Sequence, residues 1–188
     1  ITSFRHDDSP MLAAFPFEHR YTIEVVVSRH GVSVTTIVAT DERVSVPVSF
    51  GWHPYLRVPA TPRARWRLRL PARRHLMLDD RLLPTGRSTA KREEDRPLGR
   101  RTFDDHYALG RARRFGLAAA DRRVDIRFDA GYRFAQIYVP AADETGWNTT
   151  DFVCIEPMTA TIDALGAGTT PHATRSNPYA ATFAITAG

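Results

Sequence analysis

The chain has 188 residues, of which 43% are hydrophobic, 10% aromatic and 25% charged, the balance of a globular domain rather than of a disordered or fibrous chain. No apolar run is long enough to cross a bilayer as a helix, and residues 1–8 lack a basic stretch leading into an apolar one, so neither a membrane partner nor a secretion signal is expected. Cys154 is the only cysteine, which excludes an intrachain disulfide and a thiolate zinc cluster and fits a reducing, cytoplasmic setting. Lys91 is the only lysine among 26 basic residues. A pI near 9.9 and a formal charge of +5 raise the question of a polyanionic partner. The arginines, however, are scattered and many sit beside acids, as in Arg92-Glu93-Glu94-Asp95-Arg96. With neither a basic recognition helix nor an aromatic RNA-stacking motif, no nucleic-acid partner is expected.

Along the chain the dominant periodicity is two. Tyr21, Ile23, Val25 and Val27 form one apolar face, Thr22, Glu24 and Ser28 fall mostly on the other, and Arg29-His30-Gly31 turns the chain into Val32, Val34 and Val38, which together predict a β-hairpin. Val44 to Phe50 reads as a third strand. Trp66, Leu68 and Leu70 alternate with Arg65, Arg67 and Arg69, so that strand has one buried face and one solvated arginine face. Arg87 to Arg101 mixes both charge signs with Pro97 and Gly99, has no apolar period, and reads as a mobile surface loop or an insertion. Further strands are expected at Val124 to Phe128, Phe134 to Val139, Phe152 to Ile155 and Tyr179 to Ile185, separated by turn-rich stretches such as Asp129-Ala130-Gly131. No long amphipathic helix and no internal repeat competes with them. The expected fold class is all-β, an antiparallel sandwich or barrel, in a single domain over residues 1–188.

Four segments carry side chains able to do chemistry. In Phe152-Val153-Cys154-Ile155-Glu156-Pro157-Met158, strand alternation puts Glu156 on the face of Phe152 and Cys154. A carboxyl among apolar neighbours has a raised proton affinity and suits a general base near neutrality; a strand-end glutamate held by an arginine or by backbone amides gives the same pattern. His53, between Trp52 and Tyr55 and followed by Pro54, has its direction fixed by the extended geometry that proline imposes on the residue before it. Its imidazole either exchanges protons or holds a backbone carbonyl. Asp104-Asp105-His106 puts acids and a histidine on alternating faces, and with His53 and Glu156 a metal site is conceivable, but no tight ligand spacing is present and no metal is expected. Phe134, Gln136 and Tyr138 share a mixed aromatic and amide face, suited to a sugar or to a half-buried edge strand. Cys154, inside an apolar strand, is structural, and His6, His19, His30, His75 and His172 are given no role.

The order of the segments is informative. Gly51-Trp52-His53-Pro54-Tyr55-Leu56, Leu82-Leu83-Pro84-Thr85-Gly86, Asp104 with Tyr107, Gln136-Ile137-Tyr138, and Ile155-Glu156-Pro157-Met158 with Asp163-Ala164 follow one another as in the aldose 1-epimerase (galactose mutarotase) family. The sequence resembles that family through nearly its whole length. The resemblance implies a large antiparallel twisted β-sandwich that binds a free hexose on its concave face and interconverts its α and β anomers without cofactor or metal. By position, Glu156 matches the base that removes the C1 hydroxyl proton and His53 the acid that protonates the ring oxygen. Asp104 and Gln136 match sugar-contacting residues, with Tyr55 and Trp52 as further contacts and Asp105 in place of Asp104 if the alignment shifts by one. His53 and Glu156 are expected to face one cleft across a gap about the size of a pyranose.

Two departures stand out. The family's opening segment, with an arginine and a further histidine, has no counterpart, so the expected domain lacks that N-terminal part, and uncovered strand edges would leave it unstable or paired, for instance as a homodimer. Ala160-Thr161-Ile162 also stands where the family has Ala-Pro. Two other activities fit the resemblance: a hexose-6-phosphate 1-epimerase, with Arg57 or Arg63 forking onto the phosphate, and a non-catalytic carbohydrate-binding or sensing domain.

Overall fold

The computed structural model describes every residue except Thr145, Trp147 and Asn148, and only the backbone of Ser9. Strand β1 (Thr2–His6) and the short helix α1 (Ser9–Ala14), capped by the Asp8 side chain, precede the hairpin of β2 (His19–Ser28) and β3 (Gly31–Ala39). Then come β4 (Val46–Pro47), β5 (Tyr55–Leu56), β6 (Arg67–Leu70), β7 (Arg73–Leu78), β8 (Pro84–Lys91), β9 (Glu94–Pro97) and β10 (Phe103–Leu109). The chain continues through β11 (Arg114–Ala119), β12 (Arg122–Phe128), β13 (Phe134–Val139), β14 (Val153–Met158), β15 (His172–Ala173) and β16 (Tyr179–Ala187).

An eight-stranded sheet runs β1-β2-β3-β16-β12-β11-β6-β9, a six-stranded sheet runs β5-β14-β13-β10-β7-β8, and β15 pairs with β4 in a small third sheet. The pairings are antiparallel, giving the expected β-sandwich. Alternation decides which side chains meet between the sheets. Leu68 and Leu70 on β6, Phe115 and Leu117 on β11, Ile126 and Phe128 on β12 and Phe183 on β16 pack against Ile137 and Val139 on β13 and Val153 and Ile155 on β14. The opposite face of β6 carries the arginines outward as expected, laced by acids: Arg67 Nε lies 3.1 Å from Asp95 Oδ1, and Arg69 Nη2 3.5 Å from Asp125 Oδ1.

The hairpin turns at Arg29-His30, and Gly31 is required there because a Cβ would lie 2.0 Å from Ile185 O on β16. Val25 and Val27 do not join the core. They are 51% and 77% exposed, because among the described residues no second layer covers the far half of β2. Of Val44 to Phe50 only β4 is a strand. Arg87 to Arg101 is not a loop: β8 edges the six-stranded sheet, β9 edges the eight-stranded one, and the two residues between them cross from sheet to sheet. Its charges mask this structure because they pair with each other. Glu94 takes Arg73 Nη2 at 2.6 Å and Arg101 Nη2 at 3.0 Å, and Pro97 is tolerated because β9 is an edge strand.

Leu98 follows β9 into the core and is fully buried, with its N–H on Trp66 O at 2.6 Å. A surface loop would tolerate its truncation; in this fold Leu98→Ala is expected to lower stability by about 2–5 kcal/mol in urea denaturation.

Candidate active site

The outward face of the six-stranded sheet, opposite the core, carries the polar residues of interest. Register puts Gln136 directly across from Glu156, His106 across from Gln136, and Asp104 across from Tyr138. Strand alternation therefore lays Glu156, Gln136 and His106 side by side over β14, β13 and β10, with Asp104 two residues along from His106.

His53 reaches this row from outside the ladder. Residues 50–52 run alongside the end of β14: Thr159 N–H donates to Phe50 O (3.0 Å), Phe50 N–H to Thr159 Oγ1 (3.0 Å), and Trp52 N–H to Pro157 O (3.1 Å). Gly51 bridges Met158, and a Cβ there would lie 2.9 Å from Pro157 O, so only glycine permits so close an approach. The chain then enters β5, which pairs with Val153 and Cys154. The result is His53 Nε2 3.2 Å from Glu156 Oε1. The two groups share one open face, but in direct contact rather than across a sugar-sized gap. Tyr55 lays its ring on the imidazole, with centroids 4.7 Å apart and planes at 23°.

The pair is asymmetric in solvent. The His53 side chain is 49% exposed and that of Glu156 14%. Burial, seconded by the negative charge of Asp104, pushes the Glu156 carboxyl up from its ordinary value of 4.5 to about 7. Asp104 itself is exposed, and its Oδ1 accepts from Gln136 Nε2 at 2.8 Å.

Other residues fall elsewhere. Trp52 is not on this face: its indole N–H donates to Thr36 Oγ1 on β3 (3.0 Å) and its ring packs against Phe183, so it fastens the 50–53 segment to the other sheet instead of offering a sugar platform. Asp105 points inward, where it accepts from the Tyr107 hydroxyl (2.9 Å) and sits 3.1 Å from His75 Nε2, whereas Asp104 is the acid that bonds Gln136. Arg63 does not present a phosphate fork. It is buried, with Nη1 on Thr150 O and Nη2 on Arg101 O and Pro140 O, while Arg57 is exposed. His6 and His19 bond the carbonyls of Phe15 and Phe17 and line a separate cavity of about 300 Å³ with Tyr21, Val38 and Phe50, which includes neither His53 nor Glu156.

Donor atoms of His53, Cys154 and Glu156 lie within 4.8 Å of one another and are the group of this site with metal-ligand chemistry among the described residues. Cys154 is fully buried and its thiol is pushed up to about 12 by desolvation, then by Glu156, so it keeps its proton and is a poor ligand as it stands. His106, entertained from sequence only as a metal ligand, belongs to the polar row and is fully buried; the alternation of Asp104, His106 and Ala108 was the signal for it.

A family model described as aldose 1-epimerase matches residues 1–175. A comparison with curated proteins returns no match. Among solved structures, a galactose mutarotase-like protein from Clostridium acetobutylicum superposes with a TM-score of 0.84 at 18% identity, over 99% of this chain and 61% of its own. A galactose mutarotase-like protein from Lactobacillus casei gives 0.75 at 16% identity over 99% and 68%. Galactose 1-epimerase from Lactobacillus acidophilus gives 0.78 at 12% identity over 99% and 61%. At these identities the likeness is one of fold, and the chain spans about three-fifths of the length of the first of them. With the match covering residues 1–175 of 188, the chain belongs to the aldose 1-epimerase family.

Proposed function

We propose that this chain interconverts the α and β anomers of a free hexose by general acid–base opening and reclosure of the sugar ring. Glu156 takes the proton of the C1 hydroxyl, the O–H electrons form the C1 carbonyl, the bond from C1 to the ring oxygen breaks, and His53 gives that oxygen a proton. Rotation about C1–C2 presents the other carbonyl face. Reclosure reverses the roles: His53 recovers its proton and Glu156 returns one to O1, so catalyst and sugar end balanced.

The 3.2 Å separation of His53 Nε2 and Glu156 Oε1 carries this reading. The two oxygens of a hemiacetal share one carbon, so an acid and a base that serve them together have to stand side by side. Contact suits this chemistry better than the sugar-sized gap expected from the sequence. A carboxyl raised to about 7 can both accept and return a proton near neutrality. Asp104 and Gln136, joined to each other beside the pair, offer an acceptor and an amide to ring hydroxyls, and the Tyr55 ring offers a face to sugar C–H groups.

Polarimetry on freshly dissolved α-glucose and α-galactose is the direct test. Anomer equilibration should outpace buffer, and Glu156→Gln or His53→Ala should lower kcat/KM by on the order of 10² or more. Equilibration no faster than buffer in the wild type rejects the proposal. Because the free enzyme works with Glu156 ionised, kcat/KM should fall as pH drops through about 7.

The same shift has a cost in stability. The folded carboxyl binds its proton more tightly than the unfolded chain does, so the stabilisation is full below the ordinary value of 4.5 and is lost as pH rises through about 7. Glu156→Gln, a neutral mimic of the protonated form, should melt with the wild type only below the ordinary value of 4.5. At alkaline pH it should be more stable by on the order of 2–3 kcal/mol, read by thermal denaturation.

A further inference from the structure

We infer that His106 is a positioning residue for the sugar-contacting pair Asp104–Gln136. Resting on the epimerase reading above, the inference assigns a task to a buried imidazole that the acid–base chemistry does not use.

Gln136 is held at both ends. Its Nε2 donates to Asp104 Oδ1 at 2.8 Å, and its Oε1 faces His106 Nδ1 at 3.3 Å. A carboxylate only accepts, so the amide nitrogen has to face Asp104 and the amide oxygen has to face His106. His106 is therefore the donor at Nδ1. It is fully buried, and desolvation lowers its proton affinity and favours the neutral ring, so its single N–H sits on Nδ1. Nε2 is then an acceptor, 3.1 Å from Thr161 Oγ1, whose hydroxyl donates to it.

Thr161 belongs to the Ala160-Thr161-Ile162 stretch that departs from the family pattern, and a proline at that position has no hydroxyl to give. The ring cannot swing away, because Phe134 stacks on it with planes at 8° and centroids 5.8 Å apart. Thr161, His106, Gln136 and Asp104 thus form one directed chain of hydrogen bonds that ends on the carboxylate beside Glu156. With both ends of the Gln136 amide engaged, its plane is fixed, and the amide nitrogen still carries a second N–H. Losing the His106 donor frees the amide to rotate and removes the partner that holds Asp104. Sugar binding should suffer while the proton-exchanging pair is left in place.

The tests separate this from a merely structural histidine. In sugar-free buffer, long-range ¹H–¹⁵N correlation spectra of histidine-labelled wild-type protein should show His106 as the Nδ1–H tautomer; the Nε2–H tautomer would overturn the inference. His106→Leu, which fills space without a donor, should raise KM by on the order of ten-fold with kcat within about three-fold. His106→Asn carries an amide nitrogen at the Nδ1 position and should hold both constants within about three-fold of wild type. An unchanged KM in His106→Leu, equal losses in KM and kcat, or an asparagine variant no better than leucine would each count against positioning. The tautomer needs no turnover to be read. A protein with the Nδ1–H tautomer that leaves anomer equilibration at the buffer rate rejects the epimerase reading alone, and the variants are then compared through their dissociation constants for glucose and galactose.

Discussion

Thr159 exchanges hydrogen bonds with Phe50 through both its backbone N–H and its side chain, and Trp52 N–H reaches Pro157 O, so a stretch of irregular chain is fastened to the end of β14. Glu156 lies on that strand and His53 lies on that stretch. Their separation is therefore set by backbone geometry and by the missing Cβ of Gly51, not by the rotamers of two long side chains. The carboxyl is desolvated because its strand neighbours are packed, and it stays reactive because the imidazole beside it remains half in water. Weakening the fastening would loosen the imidazole and hydrate the carboxyl together, which makes placement and proton affinity a single property of the fold.

Much of this was legible from sequence, for physical reasons that differ by element. The alternation of Trp66, Leu68 and Leu70 with arginines identified a one-sided strand because burial on one face leaves no other reading. The shared face of Gln136 and Tyr138 followed from the same rule. Glu156 and Gln136 being direct neighbours did not, because register between β13 and β14 depends on a connection that alternation does not count. Trp52 misled: beside His53 in an aromatic motif it looks like part of a binding surface, but consecutive extended residues face opposite ways, and its N–H found Thr36 in the other sheet. The charged run at Arg87 to Arg101 misled more. Glu94 pairs with Arg101 inside the run but also with Arg73, 21 residues away, and a charged strand looks like a solvated loop until that distant partner is known.

The polar row on the six-stranded sheet has a second lesson. A buried neutral histidine is commonly taken as a core residue with its hydrogen bonds satisfied, and His106 is that. Its two bonds are also directional, and their sense is imposed from Asp104, whose carboxylate can only accept. Information about which atom donates thus passes inward from an exposed acid to a fully buried ring, and outward again to the Thr161 loop. Packing and polarity are served by the same side chain, and neither role is visible in the residue type alone.

Strand β16 lies between β3 and β12, later in the chain than every other strand described, and it supplies the hydrogen bonds that join the two halves of the eight-stranded sheet. During synthesis on the ribosome the hairpin side and the β6–β12 side consequently have no ladder between them until residues 179–187 emerge. The edges of β3 and β12 stay unpaired for that interval, although every strand of the six-stranded sheet has by then been made, and joining them is a long-range event that a holdase chaperone would be well placed to protect.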